Sequence, residues 1–201
     1  MKKFQNKYRI PSARAQWWDY GGDGAYFVTI CTAHRECYFG TIAESVMILS
    51  DLGKIVQKYW LEIPNHFSHI KLDAFVVMPN HFHGIIIIEK SANQNDMVET
   101  PVITIVETPK LGVSTDTDTA TVKCGGKNDR WHKGVLGVVI NQYKRKCTIE
   151  SRKSNLNFGW QSRFYDIIIR DQESYNTISA YIKNNPAKWE DDKFHPSKPE
   201  T

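Results

Sequence analysis

Long apolar runs are missing from this chain, and so are the glycine signatures of nucleotide chemistry. The apolar stretch at 84–88 is far too short to cross a bilayer, so no membrane partner is expected. No GxxxxGK[ST] loop and no GxGxxG fingerprint occur, which argues against ATP and NAD chemistry. The GxSxG elbow of serine hydrolases is absent too. Cysteine is scarce: four in 201 residues, at Cys31, Cys37, Cys124 and Cys147. None forms a CxxC pair, which removes zinc ribbons and thioredoxin-type motifs and leaves reduced thiols of a cytoplasmic protein as the expectation. Residues 1–18 lack the apolar core of a secretory signal.

What is present is an ordinary globular balance, 41% hydrophobic and 24% charged. A chain of this length can bury a core without disulfides, and residues 1–201 are expected to form one domain. The net charge of +4 and a pI near 8.8 are mildly basic. That suits a nucleic-acid partner without requiring one.

Hydrophobic periodicity orders the elements. Residues 1–24 are basic and irregular in pattern. Residues 25–32 are β-branched and aromatic and read as a strand, and Val46–Leu49 as a second, short one. Ser50 can cap a helix over 51–62, with Leu52, Ile55, Val56, Tyr59, Trp60 and Ile63 at helical spacing, and Pro64 is expected to stop it. Residues 69–78 and 81–89 read as two strands joined by the turn dipeptide Pro79-Asn80. Residues 91–130 turn polar, and VETP recurs at 98–101 and 106–109, so this segment reads as a flexible loop or insertion. Leu136, Val139, Ile140, Tyr143 and Cys147 mark a second helix whose polar face is expected to carry Lys144, Arg145 and Lys146. Residues 164–170 read as a strand. Asp171 caps a third helix that ends near Asn184 or Asn185, since Pro186 disfavours helical geometry before it. Hairpins mixed with helices, without regular βαβ alternation, point to an α+β fold: an antiparallel sheet with helices packed on it.

Three constellations could carry chemistry. In a strand, residues i and i+2 share a face about 6–7 Å apart, so His81 and His83 can grip one cation while Phe82 points into the core. Two surface histidines would show the same pattern. On a helix, Tyr181 and Asn185 share a face at i and i+4, and the amide oxygen could join a metal held beside the phenol. A core tyrosine followed by a capping asparagine fits equally. Finally, Arg14 with Trp17 and Trp18, the run Lys144, Arg145 and Lys146, and Trp160 with Arg163 combine cations with flat rings. Single-stranded nucleic acid uses both, for phosphates and for base stacking. Core tryptophans and a solvated helix face would produce the same clusters.

Taken together, these residues resemble a known family. MPNHFHGIIII is similar to the HUH metal motif of single-strand DNA transposases. WQSRFYDIIIRDQESYNTISAYIKNNP resembles the C-terminal signature of the REP-associated tyrosine transposase branch, and AYFVTICTAHRECYFG resembles that branch's first strand and following turn. The likeness covers most of residues 8–90 and 134–192; the segment 91–130 matches no pattern. It implies a ferredoxin-like sheet with His81 and His83 on a central strand, Tyr181 as nucleophile and Asn185 as third metal ligand. It also implies Mg2+ or Mn2+ as cofactor, single-stranded or hairpin DNA as partner, and a monomer rather than a dimer, acting in the cytoplasm at the nucleoid. Tyr165 and Tyr175 are rival tyrosines: the first lies on a predicted strand, the second more than a turn before Asn185. The implied reaction is a transesterification through a 5′-phosphotyrosine, in DNA transposition or the processing of repeated hairpin elements. The alternative is a nucleic-acid-binding module of the same fold without catalysis.

Overall fold

The computed structural model describes residues 18–90, 136–154, 156 and 158–198, and the backbone of two short paired strands, Lys3–Phe4 (β1) and Lys7–Tyr8 (β2). Arg14, Trp17 and the expected loop at 91–130 lie outside the described residues. The chain then runs through Gly24–Cys31 (β3), Gly40–Ala43 (β4), Val46–Leu49 (β5), Asp51–Leu61 (α1), Ile63–His66 (α2), Ile70–Val77 (β6) and His81–Ile88 (β7). It continues with Leu136–Lys153 (α3), Tyr165–Ile169 (β8), Gln172–Asn184 (α4) and a 3-10 turn at Pro186–Asp191. No helix among the described residues is long and apolar enough to cross a membrane.

The central sheet has the order β6-β7-β3-β8, with every neighbouring pair antiparallel. Strand alternation divides its side chains between two layers. Tyr26, Val28, Ile30, Phe82 and Ile86 face one way and pack with Val56 and Trp60 of α1 and Ile140 and Tyr143 of α3. Phe27, Ile85 and Ile169 face the other way and pack with Ile182 of α4. This is the α+β, ferredoxin-like arrangement of an antiparallel sheet with helices packed on it.

Phe82 points into the larger core, as its place between two histidines requires. It is fully buried, with its ring centroid 4.4 Å from that of Trp60. Gly84 makes this packing possible. A Cβ there would lie 2.5 Å from Trp60 Cζ2, so the indole lies directly across the strand backbone. Bare backbone at that point lets α1 approach the middle of the sheet.

Two local features depart from the sequence reading. β4 and β5 form a hairpin whose turn residues Glu44 and Ser45 have φ of 50° and 64°. The turn is left-handed, but it uses neither the Asn-Gly nor the Asp-Gly that signals such turns, so β4 left no mark in the pattern. Pro64 does not simply end the first helix. α1 stops at Leu61, and Pro64 sits in the first turn of α2, where its missing N–H has no partner to lose. α4 ends at Asn184, where the end was expected, and Asn185 keeps helical dihedrals, φ −60° and ψ −42°, because the chain passes straight into the 3-10 turn.

Candidate active site beside the central hairpin

The β6–β7 hairpin closes with Met78 N–H donating to His81 O at 2.8 Å, so His81 starts its strand directly after the turn. His81 and His83 share the face that looks toward α4, and their ring centroids are 4.6 Å apart. Both are buried.

Each imidazole is held by a different neighbour at Nδ1. Asn80 Nδ2 donates to Arg35 O at 2.9 Å and Phe194 O at 2.7 Å. That orientation turns its Oδ1 toward His81 Nδ1, 2.9 Å away. An amide oxygen only accepts, so the His81 proton sits on Nδ1 and Nε2 keeps its lone pair. His81 Nε2 is buried and has no hydrogen-bond partner among the described residues. His83 Nδ1 lies 2.9 Å from Thr29 Oγ1, on the adjacent strand β3. Its Nε2 lies 3.3 Å from the Tyr181 hydroxyl. A phenol donating to Nε2 places the His83 proton on Nδ1 as well. Both rings therefore aim an unprotonated Nε2 into one space.

Tyr181 reaches that space from α4. Asp171 caps the helix, accepting from Ser174 N–H at 2.7 Å. Ile182 anchors it in the smaller core, fully buried. The Tyr181 ring meets Phe27 edge-on at 6.2 Å and stays 41% exposed, so it is packed in part and open to solvent in part. One turn on, Asn185 is buried, and its Oδ1 has no partner among the described residues. After the 3-10 turn comes Asp192, also buried, whose Oδ1 accepts from Phe194 N–H at 2.7 Å. His81, His83 and Asp192 each offer a ligand atom, and these lie within 4.8 Å of one another.

The donor set fits a divalent cation. Burial, with the positive charge of Lys193 adding to it, pushes His83 down to about 3. Burial first, then His83 and Lys193, hold His81 well below its ordinary range. Both rings are therefore neutral near neutral pH, as metal ligands must be. Two buried atoms without partners among the described residues, His81 Nε2 and Asn185 Oδ1, are costly to leave unpaired, and a cation would satisfy them. Two imidazoles with an amide oxygen and a carboxylate form a mixed nitrogen–oxygen shell, which suits Mn2+ more than the all-oxygen preference of Mg2+.

The fold thus gathers His81, His83, Tyr181 and Asn185 in one place. It does not gather the basic and aromatic candidates there. Trp18 is half-buried on the opposite layer, its Nε1–H donating to Tyr26 OH at 3.0 Å. Lys144 corrects the expected solvated run: it is buried, and its ammonium donates to Gln161 O at 2.5 Å and Arg163 O at 3.4 Å. Burial lowers Lys144 to about 8. Arg145 and Lys146 are exposed, but on α3, across the sheet from α4. Arg163 is exposed just before β8. Trp160 is partly buried and packs on Phe39, Phe158 and Tyr143.

Sequence reading missed Asn80, Thr29 and Asp192. Asn80 read only as a turn residue. Thr29 could have been found by alternation from Phe27, had the register with β7 been known. Asp192 follows no periodic pattern at all.

No family model matches the chain. It is 35% identical over 187 residues to an uncharacterized protein of Haemophilus influenzae, covering 92% of each chain. Among solved structures, it superposes on a REP-associated tyrosine transposase bound to a REP hairpin with a TM-score of 0.52 at 17% identity. That match covers 89% of this chain and 74% of the other. At such identity the likeness speaks for the fold. The chain belongs to one sequence family with the Haemophilus influenzae protein and is built on the fold of a tyrosine transposase.

Proposed function

We propose that this protein is a metal-dependent endonuclease and strand transferase for single-stranded or hairpin DNA, with Tyr181 as the nucleophile. One observation carries the reading: the Tyr181 hydroxyl lies 3.3 Å from His83 Nε2, beside two buried polar atoms that lack partners among the described residues. His81 Nε2, His83 Nε2 and Asn185 Oδ1 would hold Mg2+ or Mn2+, with the Asp192 carboxylate close enough to join them. When bound, such an ion supplies Lewis-acid polarisation of the scissile phosphate.

The chain's own groups do the rest. The Tyr181 oxygen attacks phosphorus, the bond from phosphorus to the 3′ oxygen breaks, and a free 3′-OH leaves. The strand's 5′ end is then esterified to Tyr181. A second 3′-OH attacks that ester, releases the tyrosine and restores a phosphodiester. One ester replaces another at each step, so no nucleotide cofactor is consumed. Burial first, and then the Asp192 carboxylate, hold the Tyr181 proton on, while a hydrogen bond from the Asn185 side chain works the other way. The nucleophile therefore rests as a phenol until substrate reaches its open side. Neutral His81 and His83 add no charge that would tie the phosphate down unproductively.

The solved structure of similar fold is described as bound to a REP hairpin, which supports hairpin DNA as the partner here. In this reading the protein acts as a monomer at the nucleoid. The test is incubation with single-stranded hairpin oligonucleotides and Mn2+, followed by a denaturing gel. A metal-dependent protein–DNA adduct is expected. DNA binding with no adduct under any metal would leave only a binding module.

A further inference from the structure

The sheet surface beside Tyr181 is only half covered. Register places Val76, His83, Thr29 and Tyr165 in one cross-strand row on the α4 side. Neighbouring strands lie about 4.8 Å apart, so Tyr165 stands about 10 Å from His83, two strands away. The next row on that face holds Ile85, Phe27 and Ile167. α4 lies over β6 and β7 and buries Ile85 and Phe27. It leaves the start of β8, the edge strand, uncovered: Tyr165 is 55% and Ile167 38% exposed, while Ile169 further along is buried.

A cation stands at the same place. Lys193 Nζ is 5.9 Å from the Tyr165 ring centroid and 4.7 Å from that of Phe194. Phe194 in turn packs against His81, with centroids 4.6 Å apart. The carbonyl of Lys193 accepts from Arg35 Nη1 at 3.2 Å, which ties its backbone to the loop after β3. A flat exposed ring, an aliphatic neighbour and an ammonium thus lie next to the histidine pair.

We propose that this shelf is a nucleotide subsite: Tyr165, with Ile167 beneath it, stacks a base adjoining the scissile phosphate, and Lys193 meets a phosphate of that same strand. The inference rests on Tyr181 acting on single-stranded DNA, and it names where the neighbouring nucleotide goes. Ring faces stack on any base, so the subsite positions the strand more than it reads sequence. Apolar exposure beside a fixed positive charge matches a nucleotide, which has both a π-face and an anion.

The experiment uses the full-length Tyr181→Phe protein, which holds substrate without turnover, and hairpin oligonucleotides carrying 2-aminopurine at successive single-stranded positions. Stacking quenches this fluorophore. Binding is expected to quench one position strongly. Tyr165→Ala should abolish that quench and weaken binding roughly ten- to hundredfold, while Tyr165→Trp preserves both. Lys193→Gln should reduce the salt dependence of binding by about one single-strand phosphate contact. Tyr165 is exposed, so its replacement should leave the melting temperature near that of the parent protein, which circular dichroism checks. If Tyr165→Ala leaves quench and affinity unchanged while the unsubstituted protein binds and cleaves DNA, the subsite assignment fails alone. If the unsubstituted protein neither binds DNA nor forms an adduct, the nuclease reading fails and takes the subsite with it.

Discussion

Asn80 Oδ1 accepts the Nδ1–H of His81 at 2.9 Å, and the amide carrying that oxygen is pinned by two further hydrogen bonds, to Arg35 O and Phe194 O. One side chain therefore fixes the tautomer and the aim of a buried ring that would otherwise be free to turn. Asn80→Ala should weaken Mn2+ binding by about ten- to hundredfold, the usual effect of losing an outer-shell partner. Thr29→Val should do the same through His83, whose Nδ1 it holds at 2.9 Å. Calorimetric titration with Mn2+ measures both. Unchanged affinity in both variants would show that the rings are oriented by packing alone.

Metal should also stabilise the fold. The cation would bind the native state and not the unfolded chain, so Mn2+ at a hundred times its dissociation constant should add about 2.7 kcal/mol. A urea titration with and without Mn2+ measures this. His83→Ala should remove the increment. An increment of equal size in that variant would place the cation elsewhere.

The metal-free protein should lose stability as pH falls, for a reason that can be given a sign. In the fold, burial pushes His83 down to about 3 from an ordinary 6.5. Between those values the unfolded chain carries a proton that the folded one does not, so unfolding gains as acid is added. The loss begins near pH 6.5 and continues toward pH 3, at up to about 1.4 kcal/mol per pH unit for this group. Above 6.5 it contributes nothing. His83→Gln should flatten the fall in urea midpoint between pH 6.5 and 5. Parallel curves for the two proteins would mean that the ring protonates in place.

Gly84→Ala tests the packing that seats the hairpin. The added methyl would lie 2.5 Å from Trp60 Cζ2 and 2.9 Å from Phe82 Cε1, both on bulky rings. Overpacking of this kind costs about 1–3 kcal/mol. Because His83 precedes Gly84, metal affinity should fall with stability. A urea midpoint equal to the parent's would show that α1 can shift without cost.

The local part of this site shows in the spacing, while the roles of its residues come from the family resemblance. The i, i+2 histidines, the inward Phe82 and the i, i+4 pair of Tyr181 and Asn185 depend only on strand and helix period. The remainder depends on contacts far apart in sequence. Asp192 and Lys193 reach the site because α4 runs into a 3-10 turn that folds back over His81, and no periodicity foretells that path. Lys144 sits at a position that reads as solvated, yet its partners are the carbonyls of Gln161 and Arg163, which only the folded loop presents. The β4–β5 hairpin was hidden because Glu44 and Ser45 adopt left-handed dihedrals without glycine. Trp18 and Trp160 carry the composition of a DNA surface, and both are partly buried against the larger core.

The most direct test of the account is to map the covalent link. The protein is incubated with hairpin oligonucleotide and Mn2+, digested, and the DNA-bearing peptide is identified by mass spectrometry. The account predicts a single phosphotyrosine at position 181, and loss of the adduct in Tyr181→Phe with hairpin binding kept. An adduct at Tyr165 or Tyr175, or wild-type yield from Tyr181→Phe, would contradict it.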